Sequence, residues 1–450
     1  MESSRPPVRP PRFTGSGTNV PIPVPREPLS SPADADGRSA PAATDTDGRP
    51  GSWRPLKIAM IGQKGVPATF GGVERHVEEL GSRLAARGHE VTVYCRSTYV
   101  TERREMYRGM HLHYLPAAGT KHFDAISHSA VSTLAAMAAH SDLFHYHALG
   151  PGLLAPLPRY LSPGKVVVTV HGLDHERAKW NRAARTVLGC AHWMSGHVPD
   201  RTIVVSKALA EHYVDEFGCG PAYIPNGVEA PAPHPARLIR ERFGLEPGEY
   251  VLFVGRLVPE KAPDLLIRAY RKVQGDRRLV IVGDSSFSDA YVTRLRALAA
   301  QDPRVLLAGY CFDDLLGELY ANAAVFVLPS ALEGLPLTLL EAVSYGLPVI
   351  VSDIPPHREV LMADGPGRRF VPSGDEHALA LTLAAVRRME DEERSGAALV
   401  REQVLSQYRW SDVTTRTEQV YLDLVGGSVA VVPAARAAAT RAARAPVPER

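Results

Sequence analysis

Short apolar runs alternate with longer segments of helical period along most of this chain, and the alternation occurs twice. KIAMI, EVTVYC, HLHYL, LFHYH, KVVVTV and TIVVS read as strands of a first sheet. YVLFV, RLVIV, VLLAG, VFVLP and PVIVS read as strands of a second. Between them lie amphipathic helices. The one starting at Gly71/Gly72 carries Val73, Val77, Leu80 and Leu84 at i, i+4, i+7 and i+11, a stripe that faces a sheet. Strands that are apolar on both faces and alternate with such helices predict parallel, doubly wound α/β sheets. The periodicity breaks at EAPAPHPARL, residues 229–238. The expected organisation is therefore two Rossmann-like domains facing across a cleft, residues 55–232 and 233–408, followed by a helix over 409–426 that returns to the first.

The ends read differently. Residues 1–54 are rich in Pro, Ser, Gly, Ala and Asp and cannot bury enough apolar surface to offset their ordering entropy. Residues 427–450, rich in Ala and Arg and interrupted by proline, read as a second disordered tail. On an anionic surface its Ala/Arg part could become helical. The formal net charge of +2 argues against a dedicated nucleic-acid binder. The four cysteines, Cys95, Cys190, Cys219 and Cys311, lie far apart with no CxxC spacing, so a reducing cytoplasm is the expected compartment. No apolar stretch approaches the roughly 20 residues that span a bilayer. Arg103, Arg104 and Arg108 read as a solvated charged loop, with contact to the inner-membrane face as the alternative if the acceptor is lipid-linked.

The richest chemistry lies in AVFVLPSALEGLPLTLLEAVSYGLPVIVSD. Ala324 to Leu328 predicts a buried strand, a helix opens near Pro336, and Pro348 to Ser352 predicts the next strand. Glu333 then sits in the loop beyond a strand's C-terminal end and Glu341 in the first turns of the helix, where open α/β sheets bind ligands. Both carboxylates suit sugar and ribose hydroxyls. In GQKGVPATFGGVERHVEEL, Gly71 and Gly72 leave backbone N–H groups bare where a helix begins, which favours a phosphate. The stretch is not GxGxxG, and the second strand ends without an acidic ribose ligand, so it does not read as a dinucleotide dehydrogenase. In GRLVPEK, Gly255 ends a strand, and Arg256 and Lys261 offer a fork and a point charge suited to a diphosphate. His171 stands at the tip of KVVVTV, whereas His145 reads as a packed, hydrogen-bonded core residue beside His147. No carboxylate or cysteine stands near them at metal-ligand spacing, and DxD occurs only at Asp34/Asp36 and Asp45/Asp47 in the tail, so no metal is expected. Asp313 and Asp314 read as the N-cap and first turn of a helix.

FGGVERHVEEL, TVHGLD, VVSKAL, IPNGV, VGRLVPEK, LPSALEGLPLTLLEAVSYGLPVIVSD and YRWSDVTTRTEQVYLDL, in this order, resemble the retaining glycosyltransferases of family 4, which have the GT-B fold. The resemblance covers about residues 55–426, and the opening looks like that of rhamnosyl- and related transferases of bacterial polysaccharide assembly. It implies a nucleoside-diphosphate sugar as donor substrate, no cofactor, and a glycan, lipid-linked or small-molecule acceptor. It further implies that Glu333 holds the donor sugar's hydroxyls, with Gly334 and Leu335 beside it, and that Glu341 accepts from the ribose. Arg256 and Lys261 would hold the diphosphate, Gly72 would donate to its distal phosphate beside Gly71, and Gly255 would border the donor. His171 would lie near the reacting sugar, and Asn226 and Gly227 at an interdomain turn. Ala262 stands where a glycine commonly follows the lysine, and Leu335 where many members carry an aromatic residue, which leaves the donor sugar open. A nucleotide-sugar 2-epimerase and a non-catalytic sugar- or nucleotide-binding protein are the alternatives on the same fold.

Overall fold

The computed structural model describes residues 54–69, 71–99, 103–117, 124–173, 182–284 and 289–426. The expected tails with their DxD pairs, Phe70 and the continuation of TVHGLD beyond Leu173 lie outside them.

The first sheet is built from β1 (Lys57–Ile61), β2 (Glu90–Arg96), β3 (Met106–Tyr107), β4 (Met110–Leu115), β5 (Leu143–His147), β6 (Lys165–Val170), β7 (Arg201–Val204) and β8 (Ala222–Tyr223). Their order is β3-β4-β2-β1-β5-β6-β7-β8. The second comprises β9 (Tyr250–Val254), β10 (Arg278–Val282), β11 (Val305–Gly309), β12 (Val325–Leu328), β13 (Val349–Ser352) and β14 (Arg368–Val371), in the order β11-β10-β9-β12-β13-β14. All pairings between the described strands are parallel except β3 with β4, a correction to the expectation of purely parallel sheets. That short hairpin caps a sheet edge, where a strand has only one partner to satisfy. Central strands are buried on both faces: Ile58, Ala59, Met60 and Ile61 of β1, and Leu252 and Phe253 of β9, are at most 1% exposed.

The strand orders locate the cleft. The first sheet grows from β1 toward β2 on one side and from β5 on the other. The second grows from β9 toward β10 and from β12. The direction of winding reverses between β1 and β5 and between β9 and β12, and at such switch points loops diverge to leave a crevice.

The helix Gly72–Ala86 buries its apolar stripe as predicted, with Val77, Leu80 and Leu84 fully inaccessible. Its acidic face is buried too, which the amphipathic reading did not anticipate: Glu74, Glu78 and Glu79 are at most 7% exposed. Glu74 accepts from the Lys64 amide at 3.0 Å and Glu78 from the Ala68 amide at 2.6 Å. These bonds tie the loop after β1 to the helix it precedes. Arg108 donates to both Glu78 and Glu79 at 3.2 Å, so this exposed cation is paired with the buried carboxylates of the helix.

The last helix, Trp410–Val425, leaves the second sheet and packs on Gly72–Ala86. Tyr421 Oη bonds His145 Nδ1 at 2.6 Å, Glu418 pairs with Arg87 and His89, and Arg416 donates to the Tyr223 carbonyl. Trp410 seats against Gly227, where a Cβ would lie 2.6 Å from the indole.

Two local details differ from expectation. Phe312, not Asp313, is the N-cap residue of Asp313–Ala321, and both aspartates occupy the first turn, where they favour the helix dipole. Ala262 is left-handed, φ 49° and ψ 42°, between a 3₁₀ turn and the helix Pro263–Tyr270. A Cβ in that region is strained. Ala262→Gly is expected to stabilise the second domain by about 0.5–1 kcal/mol, the relief of strain outweighing glycine's added unfolded-state entropy. In a thermal melt this is a rise of about 1–4 °C; a lower Tm would refute the strain.

Candidate donor site

Most of the expected site residues follow strands that flank the switch points, whereas His171 follows β6 and Asn226 follows β8. Gly255 and Arg256 follow β9, and a 3₁₀ turn over Pro259–Lys261 carries the lysine back beneath them. Glu333, Gly334 and Leu335 lie in the loop after β12, and Glu341 is one turn into the helix Leu337–Ser344. Across the cleft, Gly71 and Gly72 begin the helix after β1, and His171 follows β6.

Within the second domain, Lys261 Nζ donates to Glu333 Oε1. The pair is largely buried, with side chains 13% and 9% exposed. Burial alone would raise the Glu333 carboxyl, but the Lys261 ammonium and His357 outweigh it and hold it below the ordinary range. Glu341 goes the other way. Burial raises it, despite the field of Arg75 and a 3.2 Å bond from Tyr320 Oη. Tyr320 is held in place by stacking on Tyr345, ring centroids 5.4 Å apart.

The halves meet closely. A Cβ on Gly334 would lie 1.9 Å from the His171 carbonyl oxygen, so only glycine fits there. Leu337 Cδ1 approaches the Cβ position of Gly72 to 3.6 Å. Asn226, 4% exposed, spans the cleft: its Nδ2 donates to the Leu335 carbonyl at 2.8 Å. Its Oδ1 must then accept from His76 Nδ1–H at 2.9 Å, which places the remaining lone pair of His76 on Nε2.

Residues 70–230 match the model of Glycosyltransferase Family 4, and residues 236–398 match that of Glycosyl transferases group 1. A D-inositol 3-phosphate glycosyltransferase from Acidothermus cellulolyticus is 30% identical over 371 residues, covering 72% of this chain and 80% of that protein. The chain belongs to glycosyltransferase family 4. Its GT-B architecture is shared with the sucrose-phosphate synthase of Thermosynechococcus elongatus, with a TM-score of 0.70 at 24% identity over 82% of this chain and 98% of the other. It is shared also with Anabaena HepE, solved with UDP and glucose, with a TM-score of 0.68 at 17% identity over 81% of this chain and 99% of the other.

Two groups of this transferase escaped the sequence reading. Lys64, in the loop after β1, lies within the field of Arg256 and Arg96; burial first, and those cations next, pull its ammonium down against Glu74. His76 was hidden on the sheet-facing side of its helix. It packs edge-on to His171 at 4.8 Å between ring centroids and lies 5.5 Å from His147. The three histidines offer nitrogens within 4.8 Å of one another, a set that three separate sequence motifs could not reveal. His145, as expected, is a packed residue, bonded to Tyr421 and to Thr169 Oγ1 at 2.6 Å.

Burial keeps His76, His145 and His147 neutral. It pulls His76 down to about 4, His145 to about 3 and His147 well below the ordinary 6.5. Between about pH 6.5 and 4 the unfolded chain therefore binds protons that the native chain refuses, and stability rises with pH across that window. The buried carboxylate of Glu79, held at about 2 by Arg75, Arg108 and Arg83, titrates below it. The urea midpoint at pH 5 is expected to fall clearly below that at pH 7; a flat or inverted dependence would show that the histidines are not buried neutral.

Proposed function

We propose that the protein is a retaining, metal-independent hexosyltransferase that moves a sugar from a nucleoside-diphosphate donor to a glycan, lipid-linked or small-molecule acceptor. The observation that carries the reading is that Arg256 and Lys261 follow β9 on one side of the cleft, while the other side presents the bare start of the helix at Gly72 together with Lys64, which lies within the field of Arg256. A diphosphate is the ligand that this arrangement suits, and the roles follow from it. Arg256 and Lys261, with the Gly72 amide, stabilise the charge that develops on the departing diphosphate, a preorganised electrostatic contribution. The Lys261–Glu333 pair supplies a partner exchange. When diphosphate oxygens take the ammonium, Glu333 is released to accept hydrogen bonds from the donor sugar, so neither buried charge is left uncompensated.

Because Lys261 pairs with Glu333 and His171 packs among neutral imidazoles, neither Glu333 nor His171 is assigned as a nucleophile. The acceptor attacks on the face of the departing diphosphate, which takes its proton, and configuration is retained. His171 and Gly334 meet where the reacting sugar lies, and their contact excludes water from it.

Glu341 is assigned to the ribose. Glu341→Ala is expected to raise the Kd for the nucleoside diphosphate about 10- to 100-fold, the equivalent of a charge-assisted hydrogen bond. Calorimetry checks this; unchanged affinity removes Glu341 from the site. The donor itself is found by a thermal-shift screen of nucleotide sugars against the full chain, since a bound donor raises Tm by mass action. A screen in which no nucleotide sugar or nucleoside diphosphate raises Tm would count against the proposal.

A further inference from the structure

Two crossover helices of the first domain meet side by side, Arg182–His197 and Lys207–Phe217. Where they touch, His192 Nε2 lies 2.9 Å from His212 Nε2 and 3.3 Å from Glu216 Oε2, and His212 Nε2 lies 2.8 Å from Glu216 Oε2. His212 and Glu216 are one turn apart on the same helix face. His192 comes from the opposing helix and is 2% exposed.

The protons of the surrounding network can be assigned. Ser195 Oγ–H donates to the His192 carbonyl at 2.6 Å. Ser195 Oγ must then accept, at 2.6 Å, from Tyr213 Oη–H. Tyr213 Oη has only that one proton, so it accepts at 3.2 Å from His192 Nδ1–H. Neutral His192 therefore carries its lone pair on Nε2, the atom in the triangle. Its partners there are a carboxylate oxygen and one nitrogen of His212. Three electron-rich atoms at hydrogen-bond separation hold at most one proton, that of His212 Nε2, when both rings are neutral. The 3.3 Å edge between His192 Nε2 and Glu216 is then a lone pair facing an anion. A cation at the centre resolves all three edges together.

From this geometry we propose a divalent-metal site formed by His192, His212 and Glu216, suited to Zn²⁺ or Co²⁺. Two imidazoles and a carboxylate are the ligand set of borderline metals. Tetrahedral coordination at about 2.0–2.1 Å sets ligand atoms about 3.3 Å apart, so binding needs only a few tenths of an ångström of expansion. The Tyr213–Ser195 chain is the outer shell that fixes the His192 tautomer. His212 and Glu216 side chains are 30% and 47% exposed, so an ion loads from solvent and keeps a water in its fourth position. The site clamps the two helices that flank β7, neither of which carries a residue assigned to the donor. It adds stability to the first domain and takes no part in transfer.

The test uses the full-length protein, stripped with a chelator and titrated with Co²⁺ and Zn²⁺. The expected result is one saturable equivalent per chain, with the visible absorption of four-coordinate Co²⁺ and a rise in Tm. His212→Ala and Glu216→Gln, both on the outer helix face, should each weaken that equivalent at least about tenfold. His171→Ala, which dismantles the three-histidine group of the cleft, should retain it. No saturable binding by the wild type, binding unchanged in both outer variants, or loss in His171→Ala instead would overturn the assignment and leave a hydrogen-bonded cluster only.

Discussion

Arg256→Ala is expected to lower kcat/KM about a hundred- to a thousand-fold with any nucleotide sugar the wild type turns over, while Tm stays within a degree or two of wild type. The magnitude is that of removing one preorganised donor from a site where charge develops. Lys261→Ala should be as damaging to turnover but different in stability. It strands Glu333 in a largely buried position, and an uncompensated charge of that kind costs about 3 kcal/mol. Adding Glu333→Gln to Lys261→Ala should recover most of the lost stability and none of the activity. Steady-state kinetics and denaturation of the same four proteins decide it. Retained turnover in Arg256→Ala would remove the diphosphate from this position. Equal stability of the Lys261→Ala single and double variants would show that the ion pair does not hold the loop.

Gly334→Ala is the second change with a large expected effect. Its Cβ would collide with the His171 carbonyl, a backbone group with no flexible side-chain end to give way. The loop carrying Glu333 must then withdraw from the first domain by an ångström or more. Misplacement on that scale costs on the order of a hundredfold in an oriented reaction. Neither sheet is touched, so the fold should persist. Affinity for the nucleoside diphosphate, whose Arg256, Lys261 and Glu341 partners all belong to the second domain, should fall much less than kcat. Near-normal kcat would mean that the halves react in a more open arrangement than the one described.

Much of this was legible in the sequence because the informative elements are central. β1, β9 and β12 are apolar runs that predict strands buried on both faces, and β5 is likewise buried throughout, its His145 and His147 included. The strands that escaped, β3, β8 and β14, are edge strands. Arg368-Arg369-Phe370-Val371 has one hydrogen-bonded neighbour and a polar face, so it carries no apolar run. The site divides along similar lines. Glycines at strand ends, the Arg256/Lys261 pair and the two glutamates are local patterns. Their mutual relations are not: Lys261 and Glu333 meet across 72 positions, and Asn226 joins His76 to Leu335 across 150 and 109. His76 lies on the same helix face as Val77 and Leu80, where a sheet-facing stripe absorbs it. Glu74, Glu78 and Glu79 follow the polar period of an amphipathic helix, yet their partners are loop amides and arginines rather than water.

The central claim is transfer from a nucleoside diphosphate sugar with retention. NMR of full-length protein incubated with the nucleotide sugar that raises its Tm follows the anomeric centre directly, with and without candidate acceptors. Free nucleoside diphosphate and a glycosyl product that first appears in the donor's own anomeric configuration is the predicted result. A product of opposite configuration, or an intact nucleotide carrying an epimerised sugar, would contradict it.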